Sequence, residues 1–73
     1  MNKKVQYLVE CITKDIVAYL MQDNNMDLPS AVSLFHNSET FEKLSNEETG
    51  LYIESSAYVY EIFKQEIKMG KIL

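Results

Sequence analysis

The sequence holds 73 residues, of which seven are lysine, none is arginine and eleven are acidic, so its formal net charge is −4. This length allows one domain, 1–73, and a hydrophobic fraction of 47% excludes a disordered chain. Arginine is the preferred side chain for binding phosphate and guanine, so nucleic acid is an unfavourable partner for this chain. No apolar run reaches the roughly 20 residues of a membrane-spanning helix, so we expect no membrane partner.

The cysteine and histidine content bears on redox compartment and on metal binding. Cys11 is the only cysteine, which rules out an internal disulfide and fits a reducing, cytoplasmic location. His36 is the only histidine, so no cluster of histidine ligands can form. Residues 23–27 begin like a calcium-binding loop, but Leu28 and Leu34 stand where that loop needs a glycine and a bidentate glutamate. We therefore predict no metal site and no cofactor.

The first predicted helix runs from Lys3 to Gln22. Its apolar residues recur three and four positions apart, which places them on one face and indicates packing against a core. That face consists of Val5, Leu8, Val9, Ile12, Ile16, Tyr19 and Leu20.

The second predicted helix runs from Leu28 to His36. Asp27 is typical of an N-cap, and Pro29 falls in the first turn, where its missing N–H is harmless. Asn37 can end this helix, and Ser38 can start a further short helical turn. The apolar residues expected in the core are Leu28, Ala31, Val32 and Phe35 from the helix, with Phe41 and Leu44 from the short turn.

The last predicted helix runs from about Leu51 to Met69 and is followed by Gly70 in the position after the C-cap. Its start stays open between two signals. Ser45 with Glu48 matches a capping box, whereas Thr49 and the glycine after it offer a competing start.

One ridge of this last helix is predicted to face the core, with Val59 and Phe63 as its anchors. Its other members are Tyr52, Ser56 and Ile67. Three lysines near the C-terminal end would stabilise the helix by interacting with the negative end of its dipole. They are Lys64, Lys68 and Lys71. Together these elements predict an all-α fold, a small bundle of three main helices with a short additional helical turn.

Two surfaces are candidates for contact with another protein. The last helix has more apolar and aromatic side chains than one buried face needs, and small residues in it would let another helix approach. The candidate interface comprises Tyr52, Ser55, Ser56, Tyr58, Tyr60 and Phe63. An acidic segment offers a candidate docking patch for a basic partner, comprising Glu39, Glu42, Glu47, Glu48 and Glu54.

The stretches SETFEKL (38–44) and ETGLYIESSAYVYEIFKQEIKMG (48–70) resemble short bacterial proteins of unknown function. In those proteins a helical chain of this size ends in a Leu-Tyr, Ser, Tyr-Val-Tyr-Glu pattern. The resemblance implies a small α-helical protein of an uncharacterised bacterial family, and it implies no activity and no site residues.

The function predicted from these features is a non-catalytic protein-interaction module that self-associates. Enzymatic activity is not expected. The sequence has two glycines, too few for a glycine-rich phosphate-binding loop, and a chain this short has little material for a catalytic cleft. One alternative is an antitoxin-like or regulatory protein that binds a second protein through its acidic segment. A further alternative is a small helix-turn-helix DNA-binding protein that uses 28–36 and 38–44.

Overall fold

The computed structural model describes residues 2–70, and every regular element within that range is helical, which confirms the all-α class. Two short 3-10 turns, Glu47–Thr49 and Leu51–Ile53, lie between the third and fourth α-helices. The α-helices of the described chain are α1 (Lys3–Asn24), α2 (Leu28–His36), α3 (Glu39–Ser45) and α4 (Ser56–Lys68).

Helix α1 runs two residues beyond its predicted end at Gln22. Its N-terminus is capped by Asn2, whose side-chain oxygen accepts a hydrogen bond from the backbone N–H of Val5 at 2.8 Å. At the other end Asn25 adopts a left-handed conformation with φ +56°, which turns the chain into α2. The buried face confirms most of the predicted stripe and consists of Val5, Val9, Ile12, Ile16, Val17 and Leu20.

The caps of α2 and α3 are those predicted from the sequence. The Asp27 carboxylate accepts the N–H of Ser30 at 3.0 Å, and the Ser38 hydroxyl accepts the N–H of Phe41 at 3.0 Å. Asn37 is the C-cap of α2. The two helices are therefore separated by only two residues, so α3 begins almost as soon as α2 ends.

The start of α4 differs from both predicted signals. Ser55 is its N-cap and accepts the N–H of Tyr58 at 3.1 Å, so neither Ser45 nor Thr49 begins this helix. The Thr49 hydroxyl instead donates to backbone carbonyls in the preceding turn, and Gly50 has φ +67°, a conformation that glycine adopts readily. These contacts hold residues 47–53 in 3-10 turns, so the helix begins later in the chain than predicted.

The C-terminal end of α4 follows the predicted pattern more closely. The helix ends at Lys68, and Met69 is its C-cap. Gly70 has φ +75°, as expected for a glycine after a helix end. Ile67, predicted on the buried ridge, is 38% exposed, because the ridge leaves the core in this last turn. Lys71, which was expected to favour the helix dipole, lies outside the described residues.

Helix α4 contacts each of the other three helices and closes the core. The Ser56 hydroxyl at its start donates to Asp15 of α1 at 2.6 Å. In its middle, the Phe63 ring meets Phe35 of α2 edge to face, with centroids 5.2 Å apart. Near its end, Glu66 accepts hydrogen bonds from α3. Val59 and Phe63 are fully buried, which confirms both predicted core anchors.

Candidate functional site

An open apolar groove of about 590 Å³ runs between α1 and α2. It lies away from α4, because Asp15, Tyr19 and Asp23, which contact α4, occupy the other side of α1. No element of residues 2–70 covers it. Its apolar lining comes from both helices and from the start of α3, and consists of Val9, Val17, Ala18, Met21, Leu28, Val32 and Phe41.

This groove corrects the predicted burial of α2. Ala31 and Phe35 are fully buried, as expected, but the side chain of Leu28 is 54% exposed and Val32 is only half-buried. The spacing of the residues explains the error. Ala31 and Phe35 lie four apart on one face of the helix, and Leu28 and Val32 lie four apart on the adjoining face. A nine-residue helix packed against α1 buries the first pair and leaves the second along the groove.

The polar side chains at the groove are few and carry opposite charges. Glu10 and Lys14 line its α1 side, and His36 lies toward its α3 end. Within residues 2–70, neither Glu10 nor Lys14 forms an ion pair. The Thr13 hydroxyl is already engaged, since it donates to the carbonyl of Val9 at 2.8 Å. The groove is therefore an apolar, electrically balanced surface, and sequence reasoning missed it because it placed all the apolar residues of α2 in the core.

The structure exposes some residues of the interface predicted on the last helix and buries others. Tyr58 is 52% exposed and the N-cap Ser55 is exposed, whereas Tyr52 is half-buried and lies in the 3-10 turn Leu51–Ile53, before α4 and not on it as predicted. Tyr60 and Phe63 are buried within the chain, which corrects their assignment to a contact surface, since a partner cannot reach them in this conformation.

Tyr60 is held by contacts that explain its burial. Its hydroxyl donates to the Asp23 carboxylate at 2.8 Å, its ring lies 5.0 Å from that of Tyr19, and the Lys64 ammonium stands 4.9 Å from the ring centroid. Burial, followed by the hydrogen bond to the Asp23 carboxylate, raises the pKa of Tyr60 to about 12. These contacts tie α4 to the end of α1.

The small residues of α4 serve the fold. Ser55 caps the helix, and the half-buried Ser56 donates its hydroxyl proton to Asp15. The third small residue, Ala57, is exposed and makes no such contact. The predicted close approach of another helix at this point stays a prediction, since Ser55 and Ala57 are exposed.

The acidic segment is exposed but spread over several elements. Glu39 and Glu42 in the first turn of α3 border a shallow depression of about 320 Å³ together with Lys43 and Asn46. The remaining members of the predicted patch, Glu47, Glu48 and Glu54, are exposed on or beside the 3-10 turns. The structure thus brings the first two glutamates together around one depression.

Glu66 is a buried carboxylate that the sequence analysis did not single out. Its side chain accepts the backbone N–H groups of Glu39 and Thr40, both at 2.8 Å, and the Thr40 hydroxyl at 2.6 Å. Burial raises the pKa of Glu66, but these hydrogen bonds, aided by Lys43, outweigh it and leave the pKa below its usual value. Its position three residues after Phe63, on the buried ridge, was the signal available in the sequence.

Cys11 and His36 each contact an aromatic residue. The His36 ring stacks on Phe41 with centroids 4.5 Å apart. Cys11 is half-buried, and a hydrogen bond between its thiol and the Tyr7 hydroxyl raises the pKa of Tyr7. Among residues 2–70 no group of three or more histidine, cysteine or acidic side chains is placed to hold a metal ion.

No helix in the described range is sufficiently long and apolar to span a bilayer. Every buried side-chain nitrogen or oxygen in that range has a hydrogen-bond partner, so no buried polar group is left directed at a ligand. Comparison with protein-family models, with curated proteins and with solved structures finds no match to this chain. No activity, ligand or partner is therefore carried over from another protein, and the resemblance to short bacterial proteins stays an expectation.

Proposed function

We propose that this protein is a non-catalytic, cytoplasmic interaction module that self-associates through the groove between α1 and α2. The observation that carries the proposal is the open apolar lining of that groove, where Leu28 is 54% exposed although Ala31 and Phe35 of the same helix are buried. Contiguous apolar surface of this kind is characteristic of protein contact sites. The single cysteine of the sequence supports a reducing, cytoplasmic location.

The surroundings of the groove favour a protein partner over a small substrate. Its polar side chains are confined to Glu10, Lys14, Thr13 and His36, and Thr13 is satisfied within its own helix. A ligand or substrate site normally adds a few convergent polar groups to an apolar pocket, and those groups orient the bound molecule. An open trough between two helices instead matches the groove in which an apolar helix face docks.

Sedimentation equilibrium over a range of micromolar concentrations tests the proposal. We expect the apparent mass to rise from 8.5 kDa toward twice that value as concentration increases. Leu28→Glu should weaken association without unfolding the chain, because the side chain is already exposed. Ile53→Glu is the matched control, since Ile53 is an exposed apolar residue outside the groove.

Two results would overturn the proposal. An apparent mass that stays at 8.5 kDa at every concentration would rule out self-association. If Leu28→Glu and Ile53→Glu weakened association equally, the chains would associate through nonspecific apolar contacts and not through the groove.

The second candidate function is an antitoxin-like or regulatory protein that binds a basic partner. The exposed Glu39 and Glu42 around one depression favour it, because opposite charges steer association. Capture of a stoichiometric basic protein from the native cell by wild type, and its loss with Glu42→Gln and Glu47→Gln, would support this role. Capture unaffected by those substitutions would reject the acidic segment as the contact.

A helix-turn-helix role in DNA binding is the weaker alternative. Its second helix would be α3, and the first turn of α3 carries Glu39 and Glu42. These carboxylates disfavour the role, because DNA binding depends on neutralising the negative charge of the phosphates.

A further inference from the structure

We propose that a second site, a cleft between the start of α1 and the 3-10 turn Leu51–Ile53, binds a medium-chain fatty carboxylate. Lys4 binds the carboxylate, and Leu8 and Ile53 contact the acyl chain. The cleft shares no lining residue with the groove between α1 and α2. The inference therefore goes beyond the proposed self-association and does not depend on it.

The cleft has the size and lining of a small-molecule site. Its volume is about 460 Å³, and its surface is mainly apolar with a few polar groups. Sites for small molecules are typically clefts of about 300–1,000 Å³ with this kind of lining. The residues that line the cleft are Asn2, Lys4, Val5, Leu8, Tyr52 and Ile53.

Large aliphatic side chains on both walls of the cleft remain partly uncovered. On the α1 wall, Leu8 belongs to the apolar stripe predicted to be buried, yet it is only half-buried, whereas Val5 and Val9 are buried. On the opposite wall, Ile53 is among the most exposed apolar residues of the described chain. An acyl chain between Leu8 and Ile53 would remove apolar surface of both from water, which favours binding.

The polar groups of the cleft can all donate to an anion. Lys4 is the only charged residue of the lining, and it forms no ion pair within residues 2–70. The side-chain oxygen of Asn2 accepts the N–H of Val5, so its NH₂ group remains as a donor. The Tyr52 hydroxyl can also donate. An amphiphile with a negative head group therefore matches the cleft better than a neutral or cationic one.

The number of donors favours a carboxylate over a phosphate or a lipid surface. One ammonium group balances a single negative charge, and the neutral donors suit the two oxygens of a carboxylate. Arginine, whose fork is preferred for phosphate, is absent from the sequence. A net charge of −4 also opposes docking on anionic lipid, which attracts clusters of basic residues.

Titration with octanoate, below the concentration at which it forms micelles, tests the site. Backbone amide resonances followed by NMR should shift saturably at Lys4, Leu8 and Tyr52, and those of Leu28 in the groove should not shift. Butyrate should bind at least about tenfold more weakly, because it has fewer methylene groups to bury. Octanol should bind about two- to fivefold more weakly than octanoate, the range of one exposed ion pair. Octyltrimethylammonium should show no saturable shifts.

Two pairs of variants assign the head group and the chain. Lys4→Gln should weaken octanoate binding about two- to fivefold and abolish the preference over octanol. Lys3→Gln is its matched control, because Lys3 is the neighbouring exposed lysine and lies outside the cleft. Ile53→Ser should weaken octanoate and octanol alike. Its control is Met69→Ser, since Ile53 and Met69 are both 71% exposed and only Ile53 lines the cleft.

Several outcomes would overturn the inference. Absence of saturable shifts at the cleft, or shifts at Leu28 instead, would reject the site. Equal affinities for octanoate and octanol, or equal effects of Lys4→Gln and Lys3→Gln, would reject recognition of a carboxylate. Cosedimentation with phosphatidylglycerol vesicles without octanoate binding would make a lipid surface the ligand. Sedimentation equilibrium without octanoate still decides self-association, so the proposed function and this inference can fail separately.

Discussion

Replacing Glu66 by glutamine should destabilise the fold far more than the same change at an exposed position. The Glu66 carboxylate is 8% exposed and accepts hydrogen bonds with both oxygens, one from Glu39 and two from Thr40. Glutamine keeps one oxygen but presents an NH₂ group where the second oxygen was. That group would meet a backbone N–H, so at least one donor at the start of α3 would lose its acceptor.

The expected loss follows from the number and kind of these hydrogen bonds. A hydrogen bond to a charged group contributes about 1.5–3 kcal/mol to stability. Removing a negative charge from a helix N-terminus costs a further ~0.3–1 kcal/mol. We therefore expect Glu66→Gln to lower the unfolding free energy by roughly 2–3 kcal/mol, which corresponds to a Tm lower by roughly 10–20 °C for a chain of this size.

Thermal and urea unfolding followed by circular dichroism measure this loss. Glu61→Gln is the matched control on the same helix, because Glu61 is exposed and pairs with Lys64 at 3.0 Å on the surface. It should cost less than about 0.5 kcal/mol. Thr40→Val should cost about 1 kcal/mol, and its effect should not add fully to that of Glu66→Gln, since both changes break the same contact.

The pH dependence of stability gives an independent reading of the same contact. The folded protein holds the pKa of Glu66 below its usual value, so the unfolded chain takes up this proton first as the pH falls. The carboxylate's contribution is complete above the unfolded value of about 4.3 and is lost as the pH falls through the folded value. Wild type should therefore lose stability in acid more steeply than Glu66→Gln. Equal acid profiles, or equal melts for Glu66→Gln and Glu61→Gln, would refute the role assigned to Glu66.

Three further substitutions follow from the packing and capping of α4. Phe63→Ala should cost roughly 3–5 kcal/mol in urea unfolding, because the ring is fully buried; a loss below about 1 kcal/mol would contradict its place in the core. Ser55→Ala should cost about 1 kcal/mol whereas Ser45→Ala should be nearly neutral, and the reverse order in thermal melts would restore the capping-box start. Tyr60→Phe should cost about 0.5–1.5 kcal/mol through the lost hydrogen bond to Asp23. Ultraviolet titration should show a contribution near pH 12 in wild type that Tyr60→Phe removes; unchanged curves would contradict the pKa given to Tyr60.

The elements that were predictable are those whose signals are local. Asp27 and Ser38 each supply an acceptor to a backbone N–H three residues later, so their capping roles could be inferred from short stretches of sequence. The positive φ of Gly70 is likewise a local preference of glycine at helix ends. Helical periodicity similarly identified Val59 and Phe63 as core residues.

The errors arose where contacts between distant residues decided the outcome. Ser45, with Glu48 three residues later, carries the stronger local capping signal, and the use of Ser55 instead depends on the 3-10 turns that place Leu51 against the core. In the sequence alone Glu66 resembles a surface glutamate. Its hydrogen-bond donors lie on α3, 26 residues earlier in the chain, and only the fold brings them to it. The groove also depends on which of the two apolar faces of α2 meets α1, and periodicity alone does not distinguish them.

The contacts of α4 with the earlier helices have a consequence for how the chain folds during synthesis. Helices α1 and α2 are neighbours in sequence and can pair early, but Phe35 remains uncovered until Phe63 has been made. The contacts of α4 with α1 join residues 37 and 41 positions apart, so closing them requires ordering a long loop. At about 5–20 residues per second, a nascent chain would expose that ring for a second or more. Slow synthesis through 46–63 should therefore increase capture of the nascent chain by chaperones that bind exposed apolar surface.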